Sequence, residues 1–174
     1  SQISEVMNES ELIVVNNKGL LLPRNCLEEE ISHLKKSTGL NVDILETKHT
    51  AIGNLICTND VGAVMSPLIP TEYVKKVEDV LGVEVIRRRV AGYHQTGAMT
   101  VANSKGGVIH PSAEEEDIKA ISQVLGIELE PATINGGSPY LCSGILANNN
   151  SLVVGGLTNG PELVMLTKAF RLED

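Results

Sequence analysis

The sequence predicts an α/β repeat protein assembled from strand–strand–helix–strand units, and three observations predict it. Four Asn-led turns, Asn16-Asn17-Lys18-Gly19, Asn59-Asp60-Val61-Gly62, Asn103-Ser104-Lys105-Gly106 and Asn148-Asn149-Asn150-Ser151, follow one another at steps of 43, 44 and 45 positions. Each turn has an apolar run on both sides. After three of them comes a stretch of helical periodicity, a glycine and a short alternating segment. One period kept three times over marks stacked copies of a supersecondary unit.

The elements follow in chain order. The runs Leu12–Val15, Leu55–Thr58, Met99–Ala102 and Ile145–Ala147 read as first strands, and the runs leaving the turns read as second strands, giving short hairpins. Within the turns Gly19, Gly62 and Gly106 are expected at positive φ. Where Ser151 replaces the glycine, Asn150 is expected to supply the left-handed residue. Pro23, Pro67 and Pro111 are expected to stop the second strands and open helices. Asn25 with Glu28 and Ser112 with Glu115 have capping-box spacing, and Pro161 suits a first helical turn. Val74, Val77, Val80 and Leu81, then Ile118, Ile121, Val124 and Leu125, recur at helical spacing. Gly39, Gly82 and Gly126 are placed to end helices. Leu40–Ile44, Val83–Ile86 and Ile127–Glu130 alternate as third strands. The fourth copy ends at Ala169-Phe170 without one.

The 174 residues suit a single repeat-built domain spanning 1–174, with a mean hydropathy of +0.05. With three Tyr, one Phe and no Trp, the core must be aliphatic. A net charge of -8 disfavours general nucleic-acid coating and favours basic partners. Cys26, Cys57 and Cys142, odd in number and without C-x-x-C spacing, are expected to be free thiols in a reducing cytoplasm, not a disulfide or zinc framework. No apolar run has the ~20 residues of a membrane span, and no signal peptide is expected. The chain starts at Ser1, so a segment upstream is expected to be missing.

Several segments resemble the translation initiation factor 6 family in its archaeal form. They are Thr50-Ala51-Ile52-Gly53-Asn54-Leu55, Asn59-Asp60, Val77 to Val85, Val101 to Gly106, His110-Pro111 and Gly155 to Leu163, in order along nearly the whole chain. The resemblance implies a pentein-type α/β propeller of five units, of which four are visible here, about one N-terminal repeat being absent. It implies a cytoplasmic factor, expected as a monomer, that binds the large ribosomal subunit through a basic ribosomal protein at the intersubunit face, near the sarcin-ricin loop, and blocks joining of the small subunit. No cofactor, metal or catalytic residue is implied. By family position the ribosome-binding residues are Gly53, Asn54, Leu55, Gly97 and Ala98. The family glycine six residues before the turn Asn is kept at Gly53 and Gly97 and replaced by Ser10 and Cys142.

Each motif also has a local reading. Asn54 can bond its own turn. Arg87-Arg88-Arg89 is either a charged edge strand or a contact for ribosomal RNA phosphates, with no aromatic residues interleaved for base stacking. The acidic runs Glu28–Glu30 and Glu114–Asp117 suit first helical turns. Pentein folds also include enzymes that modify guanidino groups through a Cys nucleophile, and Cys57, Cys142, His49, His94, His110, Asp60 and Glu84 are the right residue types. Each occupies a repeat slot filled by unlike residues elsewhere, and no activating neighbour is evident, so inert thiols are expected. A chain fragment without function of its own is a third reading. The short pairs Gly106-Gly107, Gly136-Gly137 and Gly155-Gly156 match no phosphate-binding pattern.

Overall fold

The structure, a computed structural model, describes residues 12–172. The first unit holds β1 (Val14–Val15), β2 (Gly19–Pro23), α1 (Glu28–Thr38) and β3 (Asn41–Leu45). The second holds β4 (Ile56–Thr58), β5 (Gly62–Met65), α2 (Val74–Leu81) and β6 (Glu84–Arg87). The third holds β7 (Thr100–Ala102), β8 (Gly107–Ile109), α3 (Glu115–Leu125) and β9 (Leu129–Pro131). The fourth holds β10 (Ile145–Ala147), β11 (Leu152–Val154) and α4 (Gly160–Ala169). In each of the first three units the first and second strands pair antiparallel and the second and third pair parallel; the fourth unit keeps only the hairpin.

The units interlock because each later helix packs against the sheet of the unit before it. α2 lies on β2 and β3 of the unit before it and on its own β6, α3 lies on β5 and β6, and α4 on β8. Alternation along the second strands divides the core accordingly. Leu21 meets Val77, Val80 and Leu81 of α2, while Leu20 and Leu22 face the first unit's own helix. Val64 and Val108 repeat the role of Leu21 toward α3 and α4 and are 0% exposed. The fourth counterpart, Val153, is 42% exposed, none of the described helices covering it. At the other extreme, α1 packs on no other unit's sheet among the described residues and has no buried residue.

Gly39, Gly82 and Gly126 cap their helices in the left-handed region, at φ 70, 63 and 65. The turn glycines behave otherwise. Gly19, Gly62 and Gly106 are not at positive φ; among the described non-glycine residues only Ala91, Asn135 and Arg171 are, so Asn150 is not left-handed either. These glycines are required by close approach. A Cβ on Gly19 would stand 1.9 Å from the Val80 carbonyl oxygen, on Gly62 1.9 Å from that of Val124, and on Gly106 2.0 Å from that of Ala169. Each of these three turns thus receives the C-terminal end of the next unit's helix, and at Ser151 none of the described helices arrives.

Two capping expectations also give way. α1 starts after Leu27, whose N–H donates to Glu30 Oε2 at 2.8 Å, and α3 starts after Glu114 without a side-chain cap. The Ser112 N–H instead donates to His110 Nδ1 at 3.0 Å. Turns separate Pro23, Pro67 and Pro111 from the helices that follow. Around Pro161, by contrast, Asn159 and Glu162 form a reciprocal capping box at 3.0 and 2.9 Å.

Candidate functional site

The strand directions sort the molecule into two ends. First-strand starts, second-strand ends and helix N-termini lie at one; the Asn turns and helix C-termini lie at the other. The first strands of all four units line a shared cavity of about 320 Å³, whose lining includes Gly53, Cys57, Gly97, Thr100 and Cys142.

At the Asn-turn end, side-chain amides tie the units together. Asn16 Nδ2 donates to the carbonyls of Asn59 (3.1 Å) and Leu81 (2.9 Å), Asn59 Nδ2 to those of Asn103 (3.1 Å) and Leu125 (2.8 Å), and Asn103 Nδ2 to those of Asn148 (3.1 Å) and Phe170 (3.2 Å). Their Oδ1 atoms accept from the N–H groups two and three residues on, as Asn148 does too. The next residue along adds a second set of links. The Asp60 carboxylate accepts from Asn17 N–H (2.8 Å), Asn17 Nδ2 (2.7 Å) and Ser104 Oγ (2.9 Å). The Asn16, Asn59 and Asn103 amides and the Asp60 carboxylate at this end are thus spent on joints between units.

The opposite end is held by backbone and leaves side chains open. Gly53 and Asn54 belong to a single-turn 3-10 helix, Ile52–Asn54. The Ala98 N–H donates to the Asn54 carbonyl at 3.1 Å, and the Cys142 N–H to the Ala98 carbonyl at 3.1 Å, so one lateral chain joins three units. Gly97 is needed here: its Cβ would lie 2.2 Å from the Gly53 carbonyl oxygen. The Asn54 side-chain amide has no partner among the described residues, and both Asn54 and Ala98 are half-buried. Gly53, Asn54, Gly97 and Ala98 are therefore brought together. Leu55 is not part of the exposed set. It is 5% exposed and packs in the core beside Ile52 and Ile56. Ser10 lies outside the described residues.

The three arginines separate. Arg87 donates to the hydroxyl of Thr71 (2.6 Å) and to the carbonyls of Pro67 (2.9 Å) and Ile69 (2.8 Å). Arg88 bridges to the next helix through Asp117 (2.7 Å) and Glu116 (2.9 Å). Arg89 is exposed. Directly after this stretch a tight turn pairs Val90 with Tyr93, whose ring lies against His110.

Nothing about the cysteines favours nucleophilic chemistry. The Cys57 thiol is pushed up to about 12, first by burial and then by neighbouring Cys142, against a smaller opposing hydrogen bond from Ala102. His110 is buried, its pKa lowered by desolvation, and its Nδ1 accepts a local N–H just as Ser66 Oγ accepts from Leu68 at 3.1 Å in the same slot of the second unit. Glu84 is exposed on β6. Among the described residues, no group of three or more His, Cys, Asp or Glu is placed to hold a metal ion, and no helix is long and apolar enough to cross a membrane.

Two features had little signal in the sequence. Glu162, 7% exposed, accepts from Gly136 N–H (3.0 Å), Gly137 N–H (2.8 Å), Asn159 N–H (2.9 Å) and the Thr133 hydroxyl (2.9 Å). Desolvation pushes this carboxyl upward, but the donors outweigh it and hold it below the usual range. Tyr93 and Tyr140 are exposed on the loops that enter β7 and β10.

A family model described as the eIF-6 family matches residues 2–169. Translation initiation factor 6 of Cenarchaeum symbiosum (strain A) is 60% identical over 159 residues, covering 91% of this chain and 72% of that protein. Its namesake in Nitrosopumilus maritimus (strain SCM1) is 59% identical over 159 residues, with the same coverage. The one in Pyrobaculum aerophilum is 45% identical over 153 residues, covering 88% of this chain and 69% of its own length. Repeat geometry, lateral ladders and these matches along almost the whole chain agree, and the chain belongs to the eIF-6 family.

Proposed function

We propose that this chain is a translation initiation factor that binds the large ribosomal subunit and keeps it from joining the small one. The observation that carries this reading is the contrast between the two ends. One puts Asn16, Asn59, Asn103 and Asp60 into joints between units; the other presents the turns at Asn54 and Ala98 on a rigid backbone ladder, with the Asn54 amide open. Steric exclusion needs no reacting group, only a stiff body with a matching surface. Helix N-termini place the exposed carboxylates of Glu28–Glu30 and Glu114–Glu116 at the rim of this same end, which suits a basic ribosomal protein. Gly53, Leu55 and Gly97 act by shaping the turns, whereas Asn54 and Ala98 make the contact. Arg89 is the remaining candidate for an RNA phosphate, Arg87 and Arg88 being engaged within the fold.

As a cytoplasmic factor of this family, the body would be a closed five-unit propeller. The further unit would lie between the fourth sheet and α1, its helix over Val153. Density-gradient sedimentation of the chain with purified archaeal subunits tests the function. Co-migration with large subunits and a smaller joined-subunit peak are expected, both lost in Asn54→Arg. Unchanged joining in the presence of the chain would refute the reading.

A further inference from the structure

Departures from good folding practice gather in the loops that enter β4, β7 and β10. The three buried side-chain polar atoms without a partner among the described residues are His49 Nε2, His94 Nδ1 and Thr100 Oγ1, in or directly after the first two loops. Two of the three non-glycine residues at positive φ, Ala91 (φ 52) and Asn135 (φ 50), lie in the second and third. In a chain with three Tyr and one Phe, two tyrosines are exposed here, Tyr93 at 43% and Tyr140 at 51%. Strain, orphaned polar atoms and exposed aromatic rings are all unfavourable for folding, and their convergence marks a surface kept for binding.

We propose that Tyr93 and Tyr140 are the anchors of this end, and that the surface they enter belongs to a basic protein; the inference rests on the large-subunit reading above. The backbone at both tyrosines and the ring of Tyr93 are held in place before any partner arrives. Tyr93 is fixed by reciprocal backbone bonds with Val90 (2.8 and 3.2 Å), and its ring centroid lies 5.3 Å from that of His110. Tyr140 directly precedes the 3-10 helix Leu141–Gly144, and its carbonyl accepts from Ser143 Oγ at 2.8 Å. Aromatic anchors with little freedom to lose are the usual carriers of binding energy. Charge decides the class of partner. Residues 132–144 hold no charged side chain, and Arg88 is neutralised within the fold. Apart from the exposed Arg89 the centre is therefore aromatic and uncharged, as protein–protein interface centres are, and the rim is acidic, which favours a basic protein over RNA phosphates.

Binding of the 174-residue chain to purified archaeal large subunits, titrated across salt concentrations, tests this. Tyr93→Ala and Tyr140→Ala are each expected to weaken binding about tenfold or more, with the salt dependence unchanged and Tyr140→Phe close to the parent. Thermal unfolding of each variant checks its fold, and if Tyr93→Ala loses its fold with the His110 contact, Tyr140→Ala decides. Parent binding with both alanine variants unchanged would overturn the anchors and leave the large-subunit reading standing. No binding by the parent would overturn both. Deproteinised large-subunit RNA is expected not to compete; effective competition would overturn the assignment to a protein surface.

Discussion

Asn103 shows how much one side chain does in this fold. It is 4% exposed, and its four hydrogen bonds close its own turn and reach two carbonyls of the next unit. Replacing it with Ala leaves the Asn148 and Phe170 carbonyls without that donor. Asn103→Ala should lower unfolding free energy by about 2 kcal/mol, measured by chemical denaturation. Asn148 makes only the local half of the pattern, so Asn148→Ala should have a smaller effect. Glu162 carries a pH dependence. Its carboxyl lies below the ordinary 4.5 in the folded state, so the unfolded chain takes up its proton first as pH falls. Its contribution is complete above that ordinary value and is lost as pH drops through the lower folded one. Glu162→Gln should therefore flatten the acid limb of stability against pH, as followed by denaturant midpoints from neutral to acid pH.

At the scale of elements, the joint between successive units is the recurring object, and its tightest contact is glycine against a helix-end carbonyl. Gly62→Ala should lower stability by about 3 kcal/mol or more, because neither the turn nor the end of α3 can move without disturbing the amide ladder. Gly156→Ala, where an added Cβ meets nothing within 4 Å, should be close to neutral in the same denaturation experiment. The contrast also shows where sequence reasoning reached. The period, the helix-ending glycines and the helix core positions were legible, since each depends on residues a few places apart. The role of the turn glycines was not. Asn-x-x-Gly has the composition of a positive-φ turn, and the reason for the glycine lies in Val80, Val124 and Ala169, more than sixty residues away in each case. The burial of Leu55 was hidden for the same kind of reason, because its position beside Asn54 does not show that it turns inward to the core. The outermost helix follows the rule in reverse. α2 and α3 end Val80-Leu81 and Val124-Leu125 and α4 ends at Ala169 with Phe170 directly after it, whereas α1 ends Ser37-Thr38, with Thr38 Oγ1 bonded back to the Leu34 carbonyl at 2.6 Å. Its end is polar where the others are apolar, and it buries nothing against a neighbour.

At the scale of the whole molecule, the two ends divide labour. The Asn-turn end is a fastening, rich in hydrogen bonds between units; the Asn54 end is ordered by backbone and holds two of the three strained non-glycine residues, the exposed Tyr93 and Tyr140 and the open Asn54 amide. A body fastened at one end can offer the other as a surface of fixed shape, and such a surface suffices for exclusion. Amide hydrogen exchange of the chain, free and bound to purified archaeal large subunits, tests this division most directly. Protection on binding is predicted at residues 52–54, 93–98 and 140–143, with the turns at 16–19, 59–62, 103–106 and 148–151 unchanged. Protection confined to those turns, with the Asn54 end exchanging as in the free chain, would contradict it.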